Sequence, residues 1–455
     1  MSSRYLTATP ATIDRGTALF GGVGVPLDRH REWYQYHHLF RDLLGAELER
    51  REPDLIQRLQ ARAAAWCEAN GLPELAIDHA QAAEDADRVA RLVESLAFPA
   101  YASGRAQTAR RWFEWFAERG LIERYPLIAL QGAFLQVLAG QPDEVERWAA
   151  AAERGVEART LAHATMEPWM ALLRALLCRD GVDQMHADAE TAAAGLAWGS
   201  PWWATALLLQ GTADVLAGEA DRADPVLAHA AEVATHVGAL PAASAALAQR
   251  ALLAIERHDW MEAETLADRA LGVARTGQLD DYEMSPLLHA VAARTALHRG
   301  EVPRAQEHLA RAMCLRPPLT AALPHRAVQT RLELARAHLA LTDVAGARTL
   351  LQEARYILQQ RPDLGTLPSQ IALLQSKIDS LRETTANVAT LTNAELRLLP
   401  LLSTHLTFRE IGERLYLSQH TVKSQALSVY RKLGVSSRSQ AIQRVQQAGL
   451  ARHRA

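Results

Sequence analysis

The sequence predicts an all-α protein: an α-solenoid of about eight helical hairpins, with a short β-hairpin before it and a domain of four short helices after it. Three observations predict this. The 455 residues are rich in Ala and Leu and carry few β-branched runs, a composition that favours helix. Turn signals of the Gly–polar–Pro/Asp type, each followed by an amphipathic run, recur between Gly71 and Asp343. Beyond Leu391, four helix-capping sequences are crowded into the last 65 residues. The length is too great for one compact core and suits two to four domains.

At the N-terminus, "VGVPLDRHREWYQYHHLF" alternates around the turn-like "PLDRH" and reads as a short hairpin, with Trp33 and Tyr34 or Tyr36 on its second strand. "HLFRDLLGAELERR" then reads as a helix. The turn signals follow at Gly71, Gly104, Gly140, Gly181, Gly218, His258, Gly300 and Asp343, with spacings of 33, 36, 41, 37, 40, 42 and 43 residues. A hairpin of this size leaves an apolar face that only its neighbours can cover, which is the logic of a solenoid. "RETTANVAT", residues 382–390, is polar and poor in large apolar side chains, and is expected to be a linker.

After the linker, Thr392 with Glu395 and Thr407 with Glu410 form Thr-x-x-Glu capping boxes, and Ser437 with Gln440 a Ser-x-x-Gln box. Ser418 is a good N-cap, and Gly434 and Gly449 stand where helix C′ residues belong. The middle two helices are joined only by "YLS", which predicts a helix–turn–helix pair. On the third helix Val422, Ala426, Val429 and Leu433 form one apolar stripe, expected to pack on Ile411, Leu415 and Leu417. The opposite face presents His420, Lys423, Ser424, Leu427, Ser428 and Arg431 and holds no acid. A face that merely meets solvent would mix Glu with Lys for i,i+4 support. A cationic, acid-free face with short polar side chains suits the DNA major groove: Lys reaches guanine O6 and N7, Ser a base or phosphate, Leu a thymine methyl.

Charge and residue usage agree with this division. Net charge is −3, but residues 391–455 hold ten Arg or Lys against three acids, +7, leaving −10 for the rest. A small basic domain on an acidic body implies a polyanionic partner for the small part. Only three of the 49 cations are lysines, Lys377, Lys423 and Lys432, and two of them lie on the third helix. The three cysteines are far apart and in no metal-binding pattern, the N-terminus has no apolar signal core, and no apolar run approaches the ~20 residues that span a bilayer. A cytoplasmic protein without a membrane segment is expected.

"LTNAELRLLPLLSTHLTFREIGERLYLSQHTVKSQALSVYRKLGVSSRSQAI" resembles the LuxR-type helix–turn–helix, with Leu391-Thr392 and Glu395, "REIGERL", "HTVKS", "KLGV" and "SR" as the motif positions. The resemblance implies that Lys423, Ser424 and Leu427 face bases, that Thr421 and Gln425 lie near phosphates, and that the fourth helix makes a dimer contact. Thr407, His420, Ser428, Arg431, Lys432 and Arg438 complete the expected DNA-binding set. The family often has His where Gln425 stands, and commonly Gly in the turn that here reads Ser403-Thr404-His405.

"REWYQYHHLFRDLL" and the helical run after it resemble a second part of the large LuxR regulators of the maltose-activator (MalT) type, in which a winged-helix segment leads into a sensor superhelix similar to tetratricopeptide (TPR) repeats. By that resemblance residues 1–55 are a winged-helix remnant, 56–382 a TPR-like sensor or interaction domain, 383–390 a linker and 391–455 the DNA-binding domain. The family's ATPase is not legible. A P-loop needs Gly-x-x-x-x-Gly-Lys-Ser/Thr, yet no lysine here follows a glycine, and there is no apolar run ending in paired acids. The chain is either a truncated relative or is served by an ATPase partner in trans.

Other constellations are set aside. His30, His37 and His38 lack the carboxylate or Cys spacing of a metal site. Trp112, Trp115 and Phe116 are expected in the core, with a ligand-facing patch as the alternative, and "WGSPWW" (198–203) is a candidate effector or partner site. No catalytic order of Ser, His and Asp and no paired carboxylates emerge, so no enzyme and no cofactor is expected. The expectation is a sequence-specific regulator that binds double-stranded DNA as a homodimer, with a small-molecule or protein effector on the repeats. The alternatives are a TPR-like scaffold with a vestigial DNA-binding domain and an ATP-driven switch.

Overall fold

The structure, a computed structural model, describes residues 24–26, 34–36, 38–102, 105–157, 163–279, 285–389 and 391–447. Strands β1 (Gly24–Pro26) and β2 (Tyr34–Tyr36) pair antiparallel, with Gly24 opposite Tyr36 and Pro26 opposite Tyr34. This is the expected hairpin; its connection, with Trp33, lies outside the described residues. Helix α1 (His38–Arg51) follows over the anticipated stretch.

Among the described residues sixteen helices then come in pairs: α2 (Pro53–Ala69) and α3 (Pro73–Ala82), α4 (Ala86–Ala102) and α5 (Ala106–Glu118), α6 (Pro126–Leu138) and α7 (Pro142–Glu157), α8 (His163–Leu177) and α9 (Gly181–Gly195). The series continues with α10 (Pro201–Ala217) and α11 (Ala220–His236), α12 (Leu240–Glu256) and α13 (Trp260–Thr276), α14 (Pro286–His298) and α15 (Val302–Leu315), α16 (Pro324–Ala340) and α17 (Val344–Gln360). Each turn signal falls at the junction within a pair; Gly104 itself lies outside the described residues. Where the junction is described, the first helix of a pair is followed by a left-handed residue, which lets the last carbonyls be capped by following N–H groups. Gly218, at φ 84°, takes this conformation without strain after α10, whereas His258 and Thr342 adopt φ of 61° and 65° at the equivalent turns. Proline in the first turn starts α2, α3, α10, α12, α14, α15 and α16, where its missing N–H costs nothing.

The chain divides into two compact units. In the first, residues 1–136 and 143–166, Trp112, Trp115 and Phe116 are all buried, and Phe113 meets Trp148 edge-to-face at 5.8 Å. The aromatic run there is core. In the second, residues 137–142 and 167–455, successive helices from α10 to α14 pack on one another, and α10, α12, α14 and α16 also pack in series. Helix α12 has neighbours on several sides and is buried almost throughout from Ala242 to Ile255. Alanine allows that close approach, which accounts for its abundance. The polar groups enclosed there are matched: Gln249 and Gln329 exchange amide hydrogen bonds of 2.8 and 3.0 Å.

The "WGSPWW" segment is chiefly a helix cap. Ser200 Oγ accepts from Trp203 N at 3.2 Å, Trp203 Nε1 donates to Ala193 O at 3.0 Å, and Trp202 meets Trp169 edge-to-face. Trp198, 83% exposed, is the one indole of the three turned to solvent.

Residues 383–389, the expected linker, are helical and form the last turns of α18 (Leu367–Ala389). Their polarity suggested a linker, yet "ETTANVA" contains neither Gly nor Pro, so nothing in it stops a helix already under way. No helix among the described residues is long and apolar enough to cross a membrane.

Candidate nucleic-acid interface

Four short helices end the described residues: α19 (Asn393–Leu402), α20 (Phe408–Leu415), α21 (Gln419–Leu433) and α22 (Arg438–Gln447). Their starts are fixed by the side chains anticipated. Thr392 and Glu395 form a reciprocal capping box, as do Thr407 and Glu410. Ser418 Oγ accepts from Thr421 N at 3.0 Å. At α22, Ser437 Oγ accepts from Gln440 N at 3.3 Å, but the Gln440 carbonyl turns one residue further back, to Ser436 N at 3.0 Å. Gly434, at φ 67°, ends α21; Gly449 lies outside the described residues.

The α20–α21 turn is tight. Leu417 N donates to Gly412 O at 2.8 Å, and a Cβ added at Gly412 would sit 2.5 Å from Leu417 O. Only glycine leaves room for the turn backbone to close on α20, while Tyr416 bears the left-handed step at φ 57°. Val422, Ala426, Val429 and Leu433 of α21 are fully buried with Ile411, Leu398 and Leu402, as the stripe predicted, and Leu415 packs against this core. Leu417 is more open, 37% exposed, and Tyr430 joins the core unforeseen.

This packing aims the other side of α21 outward. His420, Lys423, Ser424, Leu427 and Arg431 are exposed, Leu427 at 56%, and Thr421 and Gln425 are half-buried at the border. Gln425 Oε1 is buried with no hydrogen-bond partner. The helix carries no Asp or Glu, and neither Lys423 nor Arg431 makes an ion pair among the described residues.

The other four expected contacts are given internal partners. Lys432 Nζ sits 2.6 Å from Glu395 Oε2. Burial pushes the Glu395 carboxyl up, but Lys432, the Thr392 N–H and hydroxyl and the Ser428 hydroxyl together hold it down at about 2. Ser428 is therefore half-buried and turned to Glu395, and Lys432 ties α21 to the start of α19. Arg438 spends its guanidinium on backbone carbonyls: Nε donates to Leu402 O at 2.8 Å, Nη1 to Leu406 O at 2.7 Å, and Nη2 to Thr404 O at 2.6 Å and Leu401 O at 3.2 Å. It satisfies the orphan carbonyls that end α19. Thr407 is occupied by its capping box, though it remains exposed. Lys432 and Arg438 are thus half-buried and engaged within the domain. A cation's type is legible in sequence, but the direction in which packing aims it is not. Glu395 was read only as a capping residue, and nothing local signals its partner 37 positions on.

Comparison with known proteins agrees with this geometry at both ends of the chain. Residues 389–445 match the family of bacterial regulatory proteins of the luxR type. The C-terminal domain is a LuxR-family domain. Residues 21–56 match the MalT winged-helix domain, so the chain carries two parts of a MalT-like LuxR regulator. Among curated relatives, the HTH-type transcriptional regulator MalT of Vibrio cholerae is 33% identical over 89 residues, 19% of this chain and 10% of that protein. The serine/threonine-protein kinase PknK of Mycobacterium tuberculosis is 42% identical over 62 residues, 14% of this chain and 6% of the kinase. The chain thus covers at most a tenth of these relatives' length. Among solved structures, a Rap protein complexed with competence and sporulation factor is similar over 72% of this chain and 98% of its own, with 11% identity and a TM-score of 0.41. Among the described residues no three His, Cys, Asp or Glu side chains converge as a metal site; His30 and His37 lie outside them.

Proposed function

We propose that the chain is a transcriptional regulator that reads a specific site on double-stranded DNA with the exposed face of α21, as a homodimer through α22, and that its helical repeats sense an effector. The observation that carries this is the acid-free face of His420, Lys423, Ser424, Leu427 and Arg431, aimed outward by a capped helix–turn–helix of LuxR type. Lys423 and Ser424 near the start of the helix serve base edges, Leu427 a thymine methyl, and Thr421, Gln425 and Arg431 the flanking phosphates. Cytoplasmic residence follows from that partner. An ATPase acting in trans accords with the missing P-loop lysine.

The test is to incubate the full chain with fragmented DNA from its own genome at ~150 mM salt and sequence what is retained. A small set of fragments sharing one motif is the expected result. Uniform weak retention, at ~10⁻⁴–10⁻⁶ M, would instead support the scaffold reading. On the best fragment, Lys423→Ala is expected to weaken binding by ~1–3 kcal/mol and to relax preference at one base pair. Unchanged affinity removes Lys423 from the reading face.

A further inference from the structure

Lys377 is the one lysine outside the LuxR-type domain. It lies on α18, at a cavity of about 910 Å³ between α14, α16 and α18, closed on one side by the Trp260–His298 stack, whose rings are 4.0 Å apart and nearly parallel. Arg294, Arg336 and Lys377 line it, and none of its lining side chains is Asp or Glu. The two carboxylates that act on these arginines, Glu333 and Glu256, are not part of the lining. Glu333 is 2% exposed and pairs with Arg294 and, at 2.6 Å, with Arg336, which also donates to Gln370 Oε1 at 2.8 Å. The arginines are thus fixed in place, while the Lys377 ammonium makes no ion pair among the described residues. Beside it Leu373 is 74% exposed and offers apolar surface at the mouth of the cavity. Cations on one side and open apolar surface on the other, in a volume of small-molecule size, describe a site for an amphipathic anion.

We propose that this cavity binds a small organic carboxylate with an apolar body, the carboxylate on the unpaired Lys377 ammonium and the body against Leu373 and the Trp260–His298 stack. This deepens the reading of the repeats as a sensor and rests on it. Helix α18 forms one wall of the cavity and also packs against α21 and α22. A ligand that fixes α18 therefore acts on the element that carries the reading helix.

The scarcity of lysine makes the test direct. The full chain is acetylated with an N-hydroxysuccinimide ester, with and without octanoate, benzoate or indole-3-acetate at ~1–10 mM, or their amides, and modification of each lysine is read by peptide mass spectrometry. At least one carboxylate is expected to slow Lys377 modification about fivefold, with Lys423 unaffected and the amides without effect. Lys377→Ala, at an exposed residue with no ion pair to lose, is expected to keep the wild-type melting temperature and weaken binding of that carboxylate about tenfold in calorimetry. No protection by any of the three, equal protection by the amides, parallel slowing of Lys423, or unchanged affinity in Lys377→Ala overturns the site. DNA retention is measured on the same preparation. Its loss with Lys377 protection intact sinks the DNA reading alone, and the converse sinks the cavity alone.

Discussion

The repeat helices and α21 use cations in opposite ways. In the repeats an arginine is commonly matched to an acid from a neighbouring helix: Arg174 to Asp188 at 3.0 Å, Arg250 to Asp224 at 2.7 Å, Arg331 to Glu353 at 2.9 Å, and Arg294 to Glu333. On α21 Lys423 and Arg431 stand exposed without such a partner. A matched pair cancels its own field beyond a few ångströms, so it orders helices and attracts little. Unmatched cations on one face sum into a potential that draws a polyanion. The division between holding the fold and meeting a partner therefore lies in whether packing supplies an acid. It does not lie in the number of cations, since the repeats hold many arginines and α21 only Arg431 beside two lysines.

The largest effect that follows is in the repeats. Burial pushes the Glu333 carboxyl up, but Arg294 and Arg336 together hold it below the usual carboxylate range. Glu333→Ala leaves two half-buried guanidinium groups facing each other without their shared counter-ion. It is expected to cost ~3–5 kcal/mol in urea unfolding of the repeat region. A loss under ~1 kcal/mol would mean that water satisfies these cations and that the pairing is incidental.

Within the LuxR-type domain the same contrast divides neighbours in sequence. Lys432→Ala strips the cation from Glu395, which is 5% exposed, and is expected to cost ~1–3 kcal/mol of stability. Its pH dependence has a definite sign. The Glu395 carboxyl titrates at about 2 in the folded domain against its usual 4.5. Its stabilisation is therefore complete above 4.5 and is lost as pH falls through about 2. The difference in melting temperature between wild type and Glu395→Gln is expected to shrink across that window. A difference that stays constant down to the acid end would show that the Lys432 pair is not what holds the carboxylate.

How far the sequence reveals all this follows from the range of each interaction. The hairpins are legible because their turns are local: Gly218 and Asp343 announce a helix end and a helix start within a few residues. The capping boxes at Thr392 and Thr407 and the buried stripe of α21 are legible for the same reason. Pairing across the chain is not. Gln249 meets Gln329 across 80 positions, and Lys432 meets Glu395 across 37. Both depend on a register that only the folded helices define. The final turns of α18 are polar yet helical, because without Gly or Pro nothing stops a helix already under way. Which side of α21 is exposed is legible because one buried stripe fixes the opposite side of a helix, but this rule fails at its margins. Ser428 and Lys432 lie close enough to the stripe to be claimed by Glu395.

The smallest expected effect gives the sharpest contrast, because it concerns the residue adjoining Lys432. Arg431 is exposed, and its side chain has no acid to lose. Arg431→Ala is expected to change folding stability by no more than ~0.5 kcal/mol. Its consequence should appear instead in the salt dependence of DNA binding, where loss of one phosphate contact lowers the slope of log K against log salt by about 1. An unchanged slope would place Arg431 off the DNA backbone and confine the interface to the first half of α21, around Lys423. A stability loss as large as that of Lys432→Ala would mean instead that Arg431 also holds the domain together. Adjacent cations that fail in different assays, one in unfolding and one in salt titration, would show that α21 holds the domain with one face and meets DNA with the other.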